Sequence, residues 1–223
     1  MRHNRKEERT NLIGILRLLI LAAGFILFAV FPAEAKKTSR VFVNADGGYS
    51  ALLEFTAVPS KGGKMSVCDI KESSLAYRGS GNEVLWERTN VFPDLNMNRC
   101  ISSDGTRILI AAFNTARCEF TGIGVVNEKG GQVWGSTRFG AVSDMKLTPN
   151  GMYACFSTKE AAVFVDVNSG QVHEYKYRKN EERGSPNITS GGKGMVMLIK
   201  RKKIGGIEIK SIDKVVYEFS FAR

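Results

Sequence analysis

One stretch, Leu147 to Tyr177, constrains what this chain can fold into more than any other. It reads LTPNGMYACFSTKEAAVFVDVNSGQVHEYKY: an Asn150-Gly151 turn, two apolar runs, a turn over Asp166–Gly170 and a closing strand. Asn-Gly between strand-like runs is a strong hairpin signal, because a type I′ turn needs positive φ at both central residues. The stretch predicts an antiparallel meander of strands a to d at about 142–148, 152–158, 161–167 and 171–177. Strand b is apolar at consecutive positions, Tyr153-Ala154-Cys155-Phe156, where a sheet with one wet face would alternate. Burial of both faces requires a neighbour on each side. One meander therefore implies others.

The others are present. Turn pairs recur before an apolar strand at Asp46-Gly47, Asp104-Gly105, Asn150-Gly151 and, more weakly, Lys193-Gly194. An aromatic-type residue after an apolar one recurs in the closing strand, at Leu85-Trp86, Val133-Trp134, Val172-His173 and Val216-Tyr217. The turns are 58, 46 and 43 residues apart and the closing aromatics 48, 39 and 44. Periods of about 40–45 residues with four short strands per unit mark propeller blades. The expected fold is all-β, a β-propeller-like array of about four four-stranded blades at about 40–90, 91–138, 139–178 and 184–223. Trp86, Trp134, His173 and Tyr217 are then repeat residues that pack between blades.

Residues 1–35 stand apart from the repeats. Arg2, Arg5, Lys6 and Arg9 precede a 14-residue apolar run, Leu18–Phe31, and Ala33-Glu34-Ala35 is an A-x-A cleavage pattern. That is the layout of a secretory signal peptide. Extending the run back to Leu12 reaches spanning length across Arg17, so an uncleaved anchor over residues 12–31 is the alternative. Both place residues 36–223 across the membrane. The expected location is periplasmic or extracellular, either free or membrane-anchored.

All four cysteines, Cys68, Cys100, Cys118 and Cys155, fall in the exported part, where disulfides are permitted. Four cysteines allow three connectivities, and spacing does not choose among them. Cys68 and Cys118 fall in the b–c insertions of neighbouring copies, which should bring them close. Cys100 and Cys155 fall in or beside core strands, where a buried thiol is the commoner role. No C-x-x-C or Cys/His cluster is present, and His3 is remote from His173. No metal site is expected.

The net charge is +10, of which residues 1–35 supply +2. The densest basic run, Lys200-Arg201-Lys202-Lys203, is expected in the b–c turn of the fourth copy, and Arg178-Lys179 in the connection from the third copy to the fourth. In a meander the b–c and d–a connections share one end. Both basic segments and two insertions, about 60–71 and 114–122, are therefore expected on one face. Solvated turns that keep a domain soluble have the same composition. Export and the lack of aromatics among the basic turns argue against nucleic acid.

The residues Val125-Val126-Asn127-Glu128-Lys129-Gly130-Gly131-Gln132-Val133-Trp134 resemble the end of a quinoprotein-type β-propeller repeat. Phe164-Val165-Asp166-Val167-Asn168-Ser169-Gly170-Gln171-Val172 resembles the same segment and the WD-repeat-like pattern of an acid, a turn and a Gly. Ser103–Gly105 and Pro149–Gly151 resemble the first turn of such blades. The Trp-Asp and Gly-His pairs of WD repeats are absent, as are the adjacent cysteines and calcium-binding acids of quinoprotein dehydrogenases. The resemblance implies the scaffold and carries over no catalytic, cofactor or metal residue.

The expected function is an exported, non-catalytic binding or scaffold protein working through the b–c/d–a face, with a protein or an anionic surface as partner. The alternatives are a ligand-binding or sensor domain of a membrane-anchored protein, or a quinoprotein-like enzyme fragment. No cofactor is expected. Membrane contact would run through the N-terminal segment. Three outcomes are open to four blades: a small closed ring, an open arc, or pairing with another copy as a homo-oligomer.

Overall fold

The computed structural model of the chain describes residues 35–58, 66–92, 97–177, 184–204 and 207–221, with the backbone alone for 199–213. The expected leader, apart from Ala35, lies outside these described residues, as do Arg178 and Lys179. The chain folds into four antiparallel sheets in sequence order. The first holds β1 (Lys36–Val43), β2 (Ser50–Ala57), β3 (Ile70–Arg78) and β4 (Val84–Thr89). The second holds β5 (Arg107–Asn114), β6 (Glu119–Asn127) and β7 (Gln132–Ser136). The third holds β8 (Ser143–Leu147), β9 (Tyr153–Ser157), β10 (Ala161–Asp166) and β11 (Val172–Lys176). The fourth holds β12 (Ser185–Ile188), β13 (Lys193–Ile204) and β14 (Ile207–Ser220). This is a β-propeller-like array of four blades.

The a–b turn repeats in atomic detail. In each copy the first turn residue accepts a hydrogen bond from the backbone N–H that opens strand b. Asn44 Oδ1 accepts from Tyr49 (2.8 Å), Ser102 Oγ from Arg107 (3.0 Å), Thr148 Oγ1 from Tyr153 (3.0 Å) and Thr189 Oγ1 from Lys193 (3.2 Å). Asn, Ser and Thr suit this position because a short polar side chain can close a turn on its own backbone. A glycine at positive φ completes each turn: Gly47, Gly105, Gly151 and Gly192. At Gly105 two constraints coincide, since φ is +70° and a Cβ would lie 2.2 Å from the Tyr49 ring. The turns also grip one another. Asn44 Nδ2 donates to Ser103 O (2.6 Å), Ser103 N–H to Pro149 O (2.7 Å) and Asn150 Nδ2 to Ser190 O (3.0 Å).

Packing follows from strand alternation. Leu53, Leu75 and Tyr77 of the first sheet pack against Ile108, Ile110 and Val126 of the second. The other face of the second sheet, with Leu109, Val125 and Trp134, packs against Ala154, Phe156 and Val163 of the third. The far face of the third, with Cys155 and Phe164, packs against Ile188, Val196 and Phe221 of the fourth. Each fully buried large side chain contributes roughly 1.5–3 kcal/mol relative to exposure. Three cores thus join four sheets. Among the described residues no core joins the fourth sheet to the first.

Several expectations are corrected. Only two sheets have four strands, because strand a of the second sheet shrinks to the bridges Val91↔Ala112 and Ile101↔Ile108. The fourth sheet has three described strands, so Tyr217 lies on strand c and not on a closing strand d. Lys193-Gly194 opens β13, and the fourth turn uses Gly192. Gly194 instead makes room for Phe219, whose ring would lie 2.0 Å from an added Cβ. The expected insertion at 114–122 is absent, because β5 and β6 run eight and nine residues and take up that length. Lys200-Arg201-Lys202-Lys203 lies in strand β13, not in a turn, in register with Ser211, Lys210, Ile209 and Glu208.

Candidate binding face

The described b–c and d–a connections come together at one end of the array. There Cys68, the middle residue of a 3-10 turn at Val67–Asp69, is bonded to Cys118 at the β5–β6 connection, with their Cα atoms 5.0 Å apart. A capping box holds the turn: Cys68 N–H donates to Ser66 Oγ and Ser66 N–H to Asp69 Oδ2 (2.6 Å). The bond ties the first two sheets across their b–c connections. Cys100 and Cys155 are buried and take no part in it. Burial pushes the Cys155 thiol up to about 12, with Lys146 opposing and Asp144 adding to the shift, so it is inert at neutral pH.

At the same end a cleft of about 580 Å³ opens between the β7–β8 connection and the β9–β10 connection. Arg138, Lys159 and Lys176 line it with Glu160, Glu174, Phe139 and the backbone of Gly140 and Ala141. Arg138 is pinned by an ion pair to Glu174 at 2.6 Å and lies 4.7 Å over the Phe139 ring. The Tyr177 N–H donates to Glu160 O (2.9 Å), which fixes the rim where the chain leaves β11. Lys159 and Lys176 are exposed and carry no ion pair among the described residues. Sequence reading missed this cleft, since its parts come from three separated segments. The trace it leaves is the basic character of Lys176-Tyr177-Arg178-Lys179 at the end of β11.

A polar constellation sits between the third and fourth sheets. Lys146 Nζ donates to Ser185 Oγ (3.1 Å) and Pro186 O (2.7 Å) and lies 3.6 Å from Asp144 Oδ1, while Ser185 Oγ donates to Asp144 Oδ2. A serine beside a lysine amine is one form of nucleophile and base. Here the lysine amine donates to a carbonyl and a hydroxyl beside a carboxylate, and the serine hydroxyl is turned to that same carboxylate. The arrangement locks the two sheets together.

The aromatic repeat residues pack between blades. Trp86 stacks on Tyr77 (5.2 Å) and its Nε1–H donates to Asn127 O (3.2 Å) on the second sheet. Trp134 lies 6.4 Å from Phe156 on the third. His173 stacks 4.2 Å from Phe219 and hydrogen-bonds the Tyr217 hydroxyl. Tyr217 thus receives His173 across the last interface. Burial, with smaller effects from Tyr49, Asp104 and Glu128, raises the Tyr77 phenol well above its ordinary value, and its O–H donates to Gly105 O. Burial also works to raise the Asp104 carboxyl, but hydrogen bonds from Ser102 and Thr106 outweigh it and hold it below the usual range.

No group of three or more His, Cys, Asp or Glu side chains able to hold a metal occurs among the described residues. No helix among them is long and apolar enough to cross a membrane.

By fold, then, the chain is a β-propeller-like protein, a class that its own four sheets define. No family model matches it, and no curated protein does. Solved structures similar to it include the β-propeller domain of the trilobed protease from Pyrococcus furiosus, at 14% identity and a TM-score of 0.48 over 87% of this chain. A structure described as TolB from Agrobacterium tumefaciens is similar at 11% identity and a TM-score of 0.40, over 83% of this chain and 82% of that one. Hsv2 from Kluyveromyces lactis is similar at 10% identity and a TM-score of 0.33, over 82% and 74%. This chain spans 59% of the Pyrococcus chain. At these identities the likenesses say nothing of activity or partner.

Proposed function

We propose that this protein is an exported, non-catalytic binding module whose working surface is the b–c/d–a end, and that it takes an anionic partner at the cleft of the third sheet. The observation that carries the reading is the cleft itself, where three cationic side chains from separate segments converge on one concavity. Lys159 and Lys176 keep their charges available, and Arg178 and Lys179 follow in sequence one residue past the end of β11. A structural disulfide supports an oxidising compartment, because such bonds persist outside the cytoplasm and are rare within it. The basic N-terminus, apolar run and A-x-A pattern support export by the same route.

The test is flotation with anionic vesicles and pull-down on an acidic polymer, at low and high salt. The comparison is wild type against Lys159→Ser/Lys176→Ser/Arg178→Ser/Lys179→Ser. Recovery of wild type should fall as salt rises, because exposed charges are screened over roughly 10 Å at 0.1 M. The quadruple variant should fold normally and be recovered several-fold less at low salt. Equal recovery of both proteins at every salt concentration would remove the cleft as a binding site.

A further inference from the structure

Each end sheet of the array keeps one face with no core against it among the described residues. The exposed large apolar side chains gather there. Of the eight, Val41, Val43, Val84 and Leu85 lie on the first sheet and Val215 on the fourth, which leaves three for the rest of the molecule. On the first sheet Leu53 and Leu75 are fully buried, so their strand neighbours Leu52 and Ala76 point the other way. Register aligns Val41 with Leu52 and Leu52 with Ala76, an apolar row across the outer face. Closer to the b–c end the same face turns acidic. Glu54, Glu72 and Glu87 outnumber Lys37 and Lys71 in a groove there of about 510 Å³, and only Glu54 has an ion-pair partner among the described residues, Lys37 at 3.1 Å.

The fourth sheet has the matching order. Val196 is fully buried against the third sheet, so Met195 and Met197 lie on the outer side, in register with Glu218 and Val215. Beyond Met197, toward the b–c end, β13 continues past its pairing with β12 into Lys200-Arg201-Lys202-Lys203. Blades around one axis keep their ends aligned. Placing a fourth sheet against a following first sheet therefore sets apolar half on apolar half and the basic strand over the acidic groove.

We propose that the occupant of both end faces is a second copy of this chain, joined head to tail twice into a two-fold ring of eight blades. Each fourth sheet then packs on the partner's first sheet. Eight blades is within the size that closed propellers reach. The area suffices: over six residues a four-stranded face covers ~380 Å² and a three-stranded face ~290 Å², so the two end faces give ~670 Å² per chain, inside the ~600–1,000 Å² per partner of a standard interface. Two-fold closure also uses both end faces at once, so no apolar face is left to drive open-ended association.

The experiment is light scattering on the full chain in a non-ionic detergent at micromolar concentration, with the protein mass corrected for bound detergent. Wild type should give twice the chain mass of 24.6 kDa. Glu54→Lys/Glu72→Lys/Glu87→Lys alone should give one chain mass, and so should Lys200→Glu/Arg201→Glu/Lys202→Glu/Lys203→Glu. An equimolar mixture of these two should recover the doubled mass, because the mixed ring pairs one reversed interface with one native interface. Should either variant lose its circular dichroism spectrum, Val41→Glu and Val215→Glu, both at exposed positions, replace them and should each halve the mass. A wild-type mass of one chain, or of three or more, would overturn the proposal. So would a doubled mass indifferent to these substitutions, or a mixture of folded variants that stays at one chain mass.

Discussion

The third sheet and the first are built from the same meander and face different surroundings. In the third, all five residues of β9 are buried, and so are the first five of β10. In the first, β2 alternates between half-buried and buried along its whole length. The difference is position in the array. A middle sheet has a neighbour on each face, and an end sheet has one. Apolar residues at consecutive positions, as in Tyr153-Ala154-Cys155-Phe156, mark the former, and the alternation in Ser50–Ala57 marks the latter. Strand composition separates these two sheets, and β13 of the fourth sheet, apolar through Met195-Val196-Met197-Leu198-Ile199 at the other end of the array, is the exception.

The comparison breaks first at Phe156. Its ring is fully buried between Trp134 and Phe139, so Phe156→Ala should cost about 3–5 kcal/mol in chemical denaturation. Leu52→Ala, on the outer face of the first sheet, should cost about 1 kcal/mol or less. Equal costs would mean that the third sheet is not packed on both faces.

The disulfide sharpens the contrast from the other side. The first sheet has one packed neighbour, and Cys68–Cys118 joins it covalently to that neighbour. Closing a loop of about 50 residues stabilises by about 4 kcal/mol in the chain-entropy view, and strain commonly reduces the measured value. Cys68→Ser/Cys118→Ser should lose roughly 2–4 kcal/mol, and limited proteolysis should cut within residues 36–89 before it cuts the third sheet. Cleavage of the third sheet first would contradict the account.

The smallest effect concerns two equivalent turns. Asp104 and Asn150 hold the same place, and Asn150 Oδ1 accepts from the Thr148 hydroxyl (2.7 Å) and Met152 N–H (3.2 Å) as Asp104 does from Ser102 and Thr106. The Asp104 carboxyl is depressed by those bonds against the effect of burial. A depressed carboxyl stabilises above its unfolded pKa, near 3.9, and that contribution is lost as pH falls through the folded value. Asp104→Asn should leave the melting temperature near neutral pH almost unchanged and flatten its fall below about pH 4. An acid profile identical to wild type would show that the turn carboxylate contributes nothing.

Much of this architecture is legible in the sequence, and the failures have physical causes. Asp46-Gly47, Asp104-Gly105 and Asn150-Gly151 mark three turns because the glycine takes a positive φ, although Asp46, Asp104 and Asn150 do not, so these are not the type I′ turns expected of such pairs. In the fourth copy, Ser190-Gly191-Gly192-Lys193-Gly194 offers three glycines, and the pair pattern selects the wrong one. The clearer marker is Thr189, equivalent to Asn44, Ser102 and Thr148, which a search for Gly pairs overlooks. Lys200–Lys203 reads as a turn on charge alone. Gly205-Gly206, flanked by Ile204 and Ile207 in register, is the better hairpin signal. Nearness of Cys68 to Cys118 followed from topology. The cleft did not, since no local pattern links Arg138 to Lys159 and Lys176.

Paired lysine substitution tests the central claim most directly, that burial on both faces marks the middle of the array. The measurement is the denaturation midpoint of four variants: Leu52→Lys and Leu53→Lys on β2, Val163→Lys and Phe164→Lys on β10. Leu53, Val163 and Phe164 are fully buried and Leu52 is not. The account predicts that Leu52→Lys keeps a native transition while the other three unfold or melt far below wild type. Retention of a native transition by either β10 variant, or like behaviour of the two β2 variants, would contradict it.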